Sequence, residues 1–188
     1  MTPAQLATFK AAILAETASE FIALRTNNDE QGMADWYNTA VSPAIYAWDP
    51  QALVDRIHDS IDDTKYTPAD APDGTATQTN RCLYTAIKQM NLQTMLNGRL
   101  TIDATKSNVR TKLKDATTAV PAGTNGANVS PGGGSGVNVL TALRRNAPVS
   151  RFEKLFSAGT QTTGTVAGEV LVIEGNATAQ NISDALRS

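Results

Sequence analysis

The run Arg81–Arg99, RCLYTAIKQMNLQTMLNGR, constrains the fold more than any other stretch. Leu83, Ile87 and Met90, followed by Met95 or Leu96, recur at three- to five-residue steps, which places them on one face of a helix. Asn97-Gly98 supplies the stop, because glycine readily takes the left-handed conformation that closes a helix C-terminus. Lys88, Gln89, Asn91, Gln93 and Arg99 fall on the other face. The pattern predicts a central helix with Leu83, Ile87 and Met90 turned inward.

What surrounds that helix follows from composition. A chain of 188 residues favours one domain with appendages. Its aromatic content is only 5%, so alanine, threonine and asparagine fill the space, which suits a helical body with polar connections. The expected fold class is therefore mainly α: a helical bundle with a Gly-rich flexible loop and a short β segment near an extended C-terminal tail. The expected divisions are a helical body over residues 1–120, a flexible loop over 121–136, a helical continuation over 137–158 and the tail over 159–188.

In chain order, Thr2-Pro3 caps a first helix with Leu6, Phe9 and Ile13 on its apolar side. Ser19–Leu24 forms a second helical piece, and Asn27-Asn28-Asp29 caps a third over Glu30–Asn38. Val41–Trp48 reads as an apolar connector broken by Pro43, and Asp49-Pro50 starts a helix reaching about Ile61. Tyr66–Thr79 is a polar connection in which Thr67-Pro68 can start a turn of helix. Ser107–Ala116 reads as the most basic helix, carrying Lys106, Arg110, Lys112 and Lys114; it suits phosphates, solvent or an acidic subunit edge equally. Pro121–Gly136 has six glycines in 16 residues and is expected to be a mobile arm. Val137–Asn146 reads as a helix ending in Arg144-Arg145, where cations complement the helix dipole. Ser150 and Glu153 match a capping box for a helix carrying Phe152, Leu155 and Phe156. Glu169–Glu174 is the one clear strand, and its partner is either a hairpin through Thr162–Val166 or a neighbouring chain. Thr178–Leu186 is a short terminal helix.

The chemistry-bearing residues are sparse. Lone Cys82 excludes an internal disulfide, and lone His58 gives it no strong claim to a catalytic partner. Asp59, Asp62 and Asp63 lack the spacing, glycine and distal glutamate of a calcium loop. No enzymatic activity, cofactor or metal is expected. The opening MTPAQLATFKAAILAE lacks the basic start of a signal peptide, and no run of about 18–20 apolar residues spans a membrane. Charge is unevenly spread: residues 1–94 carry six basic and twelve acidic side chains, a net −6, and residues 95–188 carry ten and six, a net +4. Either this is ordinary solvated surface or the two ends meet different neighbours.

Four segments together resemble the head–tail connectors of tailed bacteriophages, also called neck adaptors or head-completion proteins. They are TPAQLATFKAAILAE, SPAIYAWDPQALVDRI, IKQMNLQTMLNGR and RFEKLFSAGTQTTGTVAGEVLVIEGNAT. The resemblance implies a largely helical structural protein in a homo-oligomeric ring, commonly dodecameric, between portal and tail proteins around the DNA channel. It places the chain in the virion neck after synthesis in the host cytoplasm. It makes 169–188 the portal-docking tail, with Val170, Leu171, Val172, Ile173, Ile182 and Leu186 as contacts. Lys106, Arg110, Lys112, Lys114, Arg144 and Arg145 are then candidates to face the channel and packaged DNA. The alternatives are another virion part, for tail completion, capsid decoration or fibre association, or a DNA-binding packaging factor. The long glycine stretch departs from the compact connectors.

Overall fold

The computed structural model describes residues 1–66, 76–121 and 128–188, with residues 76–79 described by their backbone alone. The turn expected at Thr67-Pro68 and positions 122–127 of the glycine stretch lie outside the described residues. In chain order the elements are α1 (Pro3–Ala15), α2 (Ser19–Thr26), α3 (Glu30–Asn38), β1 (Tyr46–Trp48), β2 (Ala52–Leu53), α4 (Val54–Asp59) and α5 (Ala76–Leu96). They continue with β3 (Thr101–Ile102), α6 (Ser107–Thr117), α7 (Val137–Ala142), β4 (Arg144–Pro148), α8 (Arg151–Leu155), β5 (Ser157–Thr163), β6 (Val166–Leu171) and α9 (Ala179–Arg187).

The expected mainly helical bundle is corrected by the strands. The structure is an α/β mix, about 54% helix and 17% strand, with a four-stranded mixed sheet in the order β4-β1-β6-β5 and a two-stranded sheet of β2 and β3. β1 and β6 run parallel with Ala47 opposite Glu169, and β2 and β3 run antiparallel with Ala52 opposite Ile102. β5 and β6 form the hairpin; Gly164 at its turn has φ +58°, a conformation a side chain resists. The apolar strand therefore finds its partners within the chain, and it starts three residues earlier than its sequence pattern predicts.

The chain divides into two compact units. The first comprises Met1–Ala47, Asn146–Thr160 and Glu169–Ser188. Its core is aromatic: the Phe9 ring meets Tyr37, Phe152 and Phe156 edge-on at centroid distances of 4.9, 5.2 and 6.3 Å. Ile13, Phe21 and Met33 join it, and α9 adds Ile182 and Ala185. Full burial of each large apolar side chain contributes about 1.5–3 kcal/mol. Capping fixes the helix starts. Thr2 and Gln5 bond reciprocally at α1, Ser150 and Glu153 at α8, and Thr178 and Asn181 at α9. The Asn38 amide donates to the Ala177 carbonyl at 2.9 Å and accepts from the Ala177 N–H at 2.7 Å, which ties the entry of α9 to the end of α3.

The second unit comprises Trp48–Arg145 and Gln161–Gly168. Leu113 and Ala116 of α6, Leu92 and Leu96 of α5, and Val139 and Leu140 of α7 are buried in it. Trp48 is fully buried and lies so close to Gly168 that a Cβ there would meet the indole ring at 2.8 Å. The described part of the glycine stretch is bonded into this unit rather than projecting from it: Val129 pairs with Val120, and the Gly132 N–H donates to the Thr117 carbonyl. Gly136, at φ +74°, is the cap from which α7 starts. The helix expected over Val137–Asn146 stops at Ala142, and Arg144-Arg145 open β4 instead of closing a helix.

Candidate interaction surface

The basic residues picked out on α6 do not share a face. Lys106 is exposed and paired with Asp103 at 3.4 Å; Lys112 is exposed, and Lys114 is half-buried. Arg110 points inward and is only 1% exposed. Its guanidinium donates to the Ala104 and Thr105 carbonyls at 2.7 Å each, to Gln161 Oε1 at 2.7 Å and to Thr163 Oγ1 at 3.0 Å. It also lies over the Trp48 ring, 4.5 Å from the centroid. Such a group organises the interior of the second unit and is not available to phosphates. Arg144 and Arg145 are half-buried in β4, where the Arg144 guanidinium donates to the Ala167 carbonyl at 3.2 Å.

The predicted docking residues are also divided. Ile182 is fully buried, and Ile173 and Leu186 pack against the same first-unit core. Val170 and Leu171 are half-buried in β6, and Val172 is exposed. The residue preceding Val170, Glu169, is only 2% exposed and accepts from Lys154 Nζ at 2.9 Å and from the Thr160 hydroxyl. Burial pushes this carboxyl up, but hydrogen bonds from Lys154, Thr160 and Ser157 and the Lys154 charge pull it below the ordinary glutamate value. α8 also lines a shallow groove of about 390 Å³ in the first unit, with Glu16, Tyr37, Arg151 and Lys154 on its walls. Arg151 is held there by stacking on Trp36 at 4.2 Å and by donating to Thr39 Oγ1 at 3.0 Å. Burial and then Glu16 push the Tyr37 hydroxyl up to about 12.

The largest departure from expectation is α5. The helix forms and ends as predicted, with Gly98 at φ +71° beyond it, but its apolar stripe faces outward. Leu83, Tyr84, Ile87 and Met90 are 56%, 59%, 40% and 63% exposed. The buried side consists of Thr85, Leu92 and Leu96. Lys88 sits beside that side and caps a neighbour: its Nζ donates to the Asp115 carbonyl at 2.6 Å and the Thr118 carbonyl at 2.7 Å, satisfying orphan acceptors at the end of α6. Burial pulls the Lys88 ammonium down in pKa, against the nearby Asp115 charge. A groove of about 520 Å³ runs between α5 and α6, walled by Tyr84, Ile87, Asn91, Thr94 and Met95 on one side and Lys112, Asp115 and Ala116 on the other. Four large apolar side chains thus stand together in solvent on one helix, an exposed row rather than the scattered single residues of an ordinary surface. The spacing was visible in the sequence; Thr85, Leu92 and Leu96 also follow helical steps, of seven and four, but only their burial in the fold marks theirs as the inner side.

Among the described residues, no group of three or more His, Cys, Asp or Glu side chains is placed to hold a metal ion, and no helix is long and apolar enough to cross a membrane. No protein-family model matches the chain, no curated protein matches its sequence and no solved structure matches its fold.

Proposed function

We propose that this chain is a structural protein of a tailed-bacteriophage virion, a connector that sits in the neck as a homo-oligomeric ring between portal and tail. The observation that carries the reading is the outward face of α5, where Leu83, Tyr84, Ile87 and Met90 stand exposed to solvent. Leaving such side chains exposed forgoes roughly 25 cal/mol for each Å² of apolar surface that a partner would cover. The four segments that resemble neck adaptors supply the setting for that surface. Arg110 drops out of the channel-facing set because it is spent on Trp48 and four acceptors; Lys106 and Lys112 remain its exposed members on α6.

The test is location and assembly. Tagged protein in purified virions is expected at the neck by labelling and electron microscopy, and purified chain is expected to join rings when mixed with the portal of the same phage. Absence from the particle, together with no association with portal or tail proteins, would overturn the proposal.

A further inference from the structure

We infer that α5 pairs with α5 of a second copy of this chain, each lying in the α5–α6 groove of the other, so that two α5 and two α6 helices make a four-helix bundle. The inference rests on the reading of the α5 face as an assembly surface; a two-fold contact closes on itself, so it describes the free chain and leaves the head-to-tail contacts of a ring to other surfaces.

The spacing comes first. Asn80, Leu83, Ile87, Met90 and Thr94 are all exposed and follow one another by 3, 4, 3 and 4 residues. That is the heptad seam by which helices pair, and it lies on the side of α5 away from Thr85, Leu92 and Leu96. α5 therefore carries one stripe for its own unit and a second that its own unit leaves uncovered. Within the seam, Ile87 holds one core position and Leu83 and Met90 the other, the β-branched and γ-flexible alternation that suits two paired helices.

The flanks argue for an identical partner. Tyr84, Ala86, Asn91 and Gln93 border the seam and carry no charge, and Lys88, which also lines the groove, has its ammonium held by the Asp115 and Thr118 carbonyls. The far wall of the groove offers Lys112 and Asp115, opposite signs three residues apart, which a two-fold axis can pair reciprocally. Ile87 and Thr94 are at once part of the row that inserts and part of the wall that receives, the self-complementarity an isologous contact requires. The area is adequate. The four exposed apolar side chains offer on the order of 400 Å² per copy, and the polar flanks bring the strip toward the roughly 800 Å² per partner of a standard interface. A helix of 21 residues, about 30 Å long, has room for that contact.

The experiment is the mass in solution of the full chain and of two variants, by light scattering at about 100 μM, where a micromolar dimer is almost fully formed. The wild type is expected at twice 19.9 kDa, and Met90→Glu and Ile87→Lys, pairing roughly a hundredfold more weakly, midway between monomer and dimer mass with unchanged helix content. These sites are exposed, so the variants fold. In a Cys82→Ser background, Ile87→Cys is expected to form a disulfide-linked dimer on mild oxidation, and Thr26→Cys, exposed in the first unit, is not. A wild type that stays monomeric, or a dimer that both variants leave intact, overturns the inference. Neither outcome bears on portal association, which the neck experiment reads separately. A wild-type monomer that still joins the portal sinks the pairing alone, and an α5 dimer missing from the particle sinks the neck reading alone.

Discussion

Arg110 holds four acceptors and an indole ring with one guanidinium, at 1% exposure. Its planar fork can reach the Ala104 and Thr105 carbonyls and Gln161 together; an ammonium cannot. Arg110→Met leaves those acceptors unpaired in the interior, at about 1–3 kcal/mol for each one that water cannot reach. The expected loss is about 3 kcal/mol or more in urea unfolding, with Arg110→Lys losing less, and the Trp48 environment is expected to change in near-ultraviolet dichroism. A midpoint unchanged by Arg110→Met would show that the network carries no stability. Glu169 makes the complementary case for an anion. Its folded-state pKa lies below the ordinary glutamate value, so the charged form is the one that folding favours. The stabilisation is fully present above the unfolded value, about 4.3, and is lost as pH falls through the depressed folded value. Glu169→Gln is expected to cost about 1.5 kcal/mol near pH 6, the worth of hydrogen bonds to a charged group. The gap between variant and wild type is expected to close toward pH 3. A gap that stays constant with pH would exclude the ion pair as its origin.

At the scale of elements, side-chain caps set the starts of α1, α3, α8 and α9, whereas the Asp49-Pro50 signal leads into β2 and α4 begins only at Val54 without a side-chain cap; long-range pairing decided where strands lie. Thr2, Ser150 and the start of the last helix were legible because a capping residue bonds within three positions of itself. Thr178→Ala should therefore cost about 1 kcal/mol. It should lower the denaturation midpoint without changing the slope, because α9 still buries Ile182 and Ala185. Strands β4 and β5, RRNAP and SAGTQTT, carry neither alternation nor bulk; they are strands because β1 and β6 offer them backbone partners, which no local pattern records. The same limit explains α5. Its outer row has the stronger apolar signal, and only the position of α6 shows that Thr85, Leu92 and Leu96 face inward. Arg110 was legible as basic and illegible as buried, since its acceptors lie up to 53 residues away along the chain.

Over the whole molecule, scarce aromatics and abundant alanine pointed to helices, and helices do predominate; the mixed sheet escaped because β1 is only three residues long and β4 and β5 carry no run of apolar residues. The candidate surface was half legible: the row was seen and its direction was not. Both units are assembled from separated stretches, and the chain changes unit after residues 47, 145, 160 and 168. That order has a consequence for biosynthesis. A ribosome has delivered every residue of the second unit by position 168, while the first still lacks Glu169 and its closing helix. The ring of Phe9 can meet Tyr37 early, but the α8 and α9 side chains that complete its cover, Phe152, Phe156, Ile182 and Ala185, follow more than a hundred residues later.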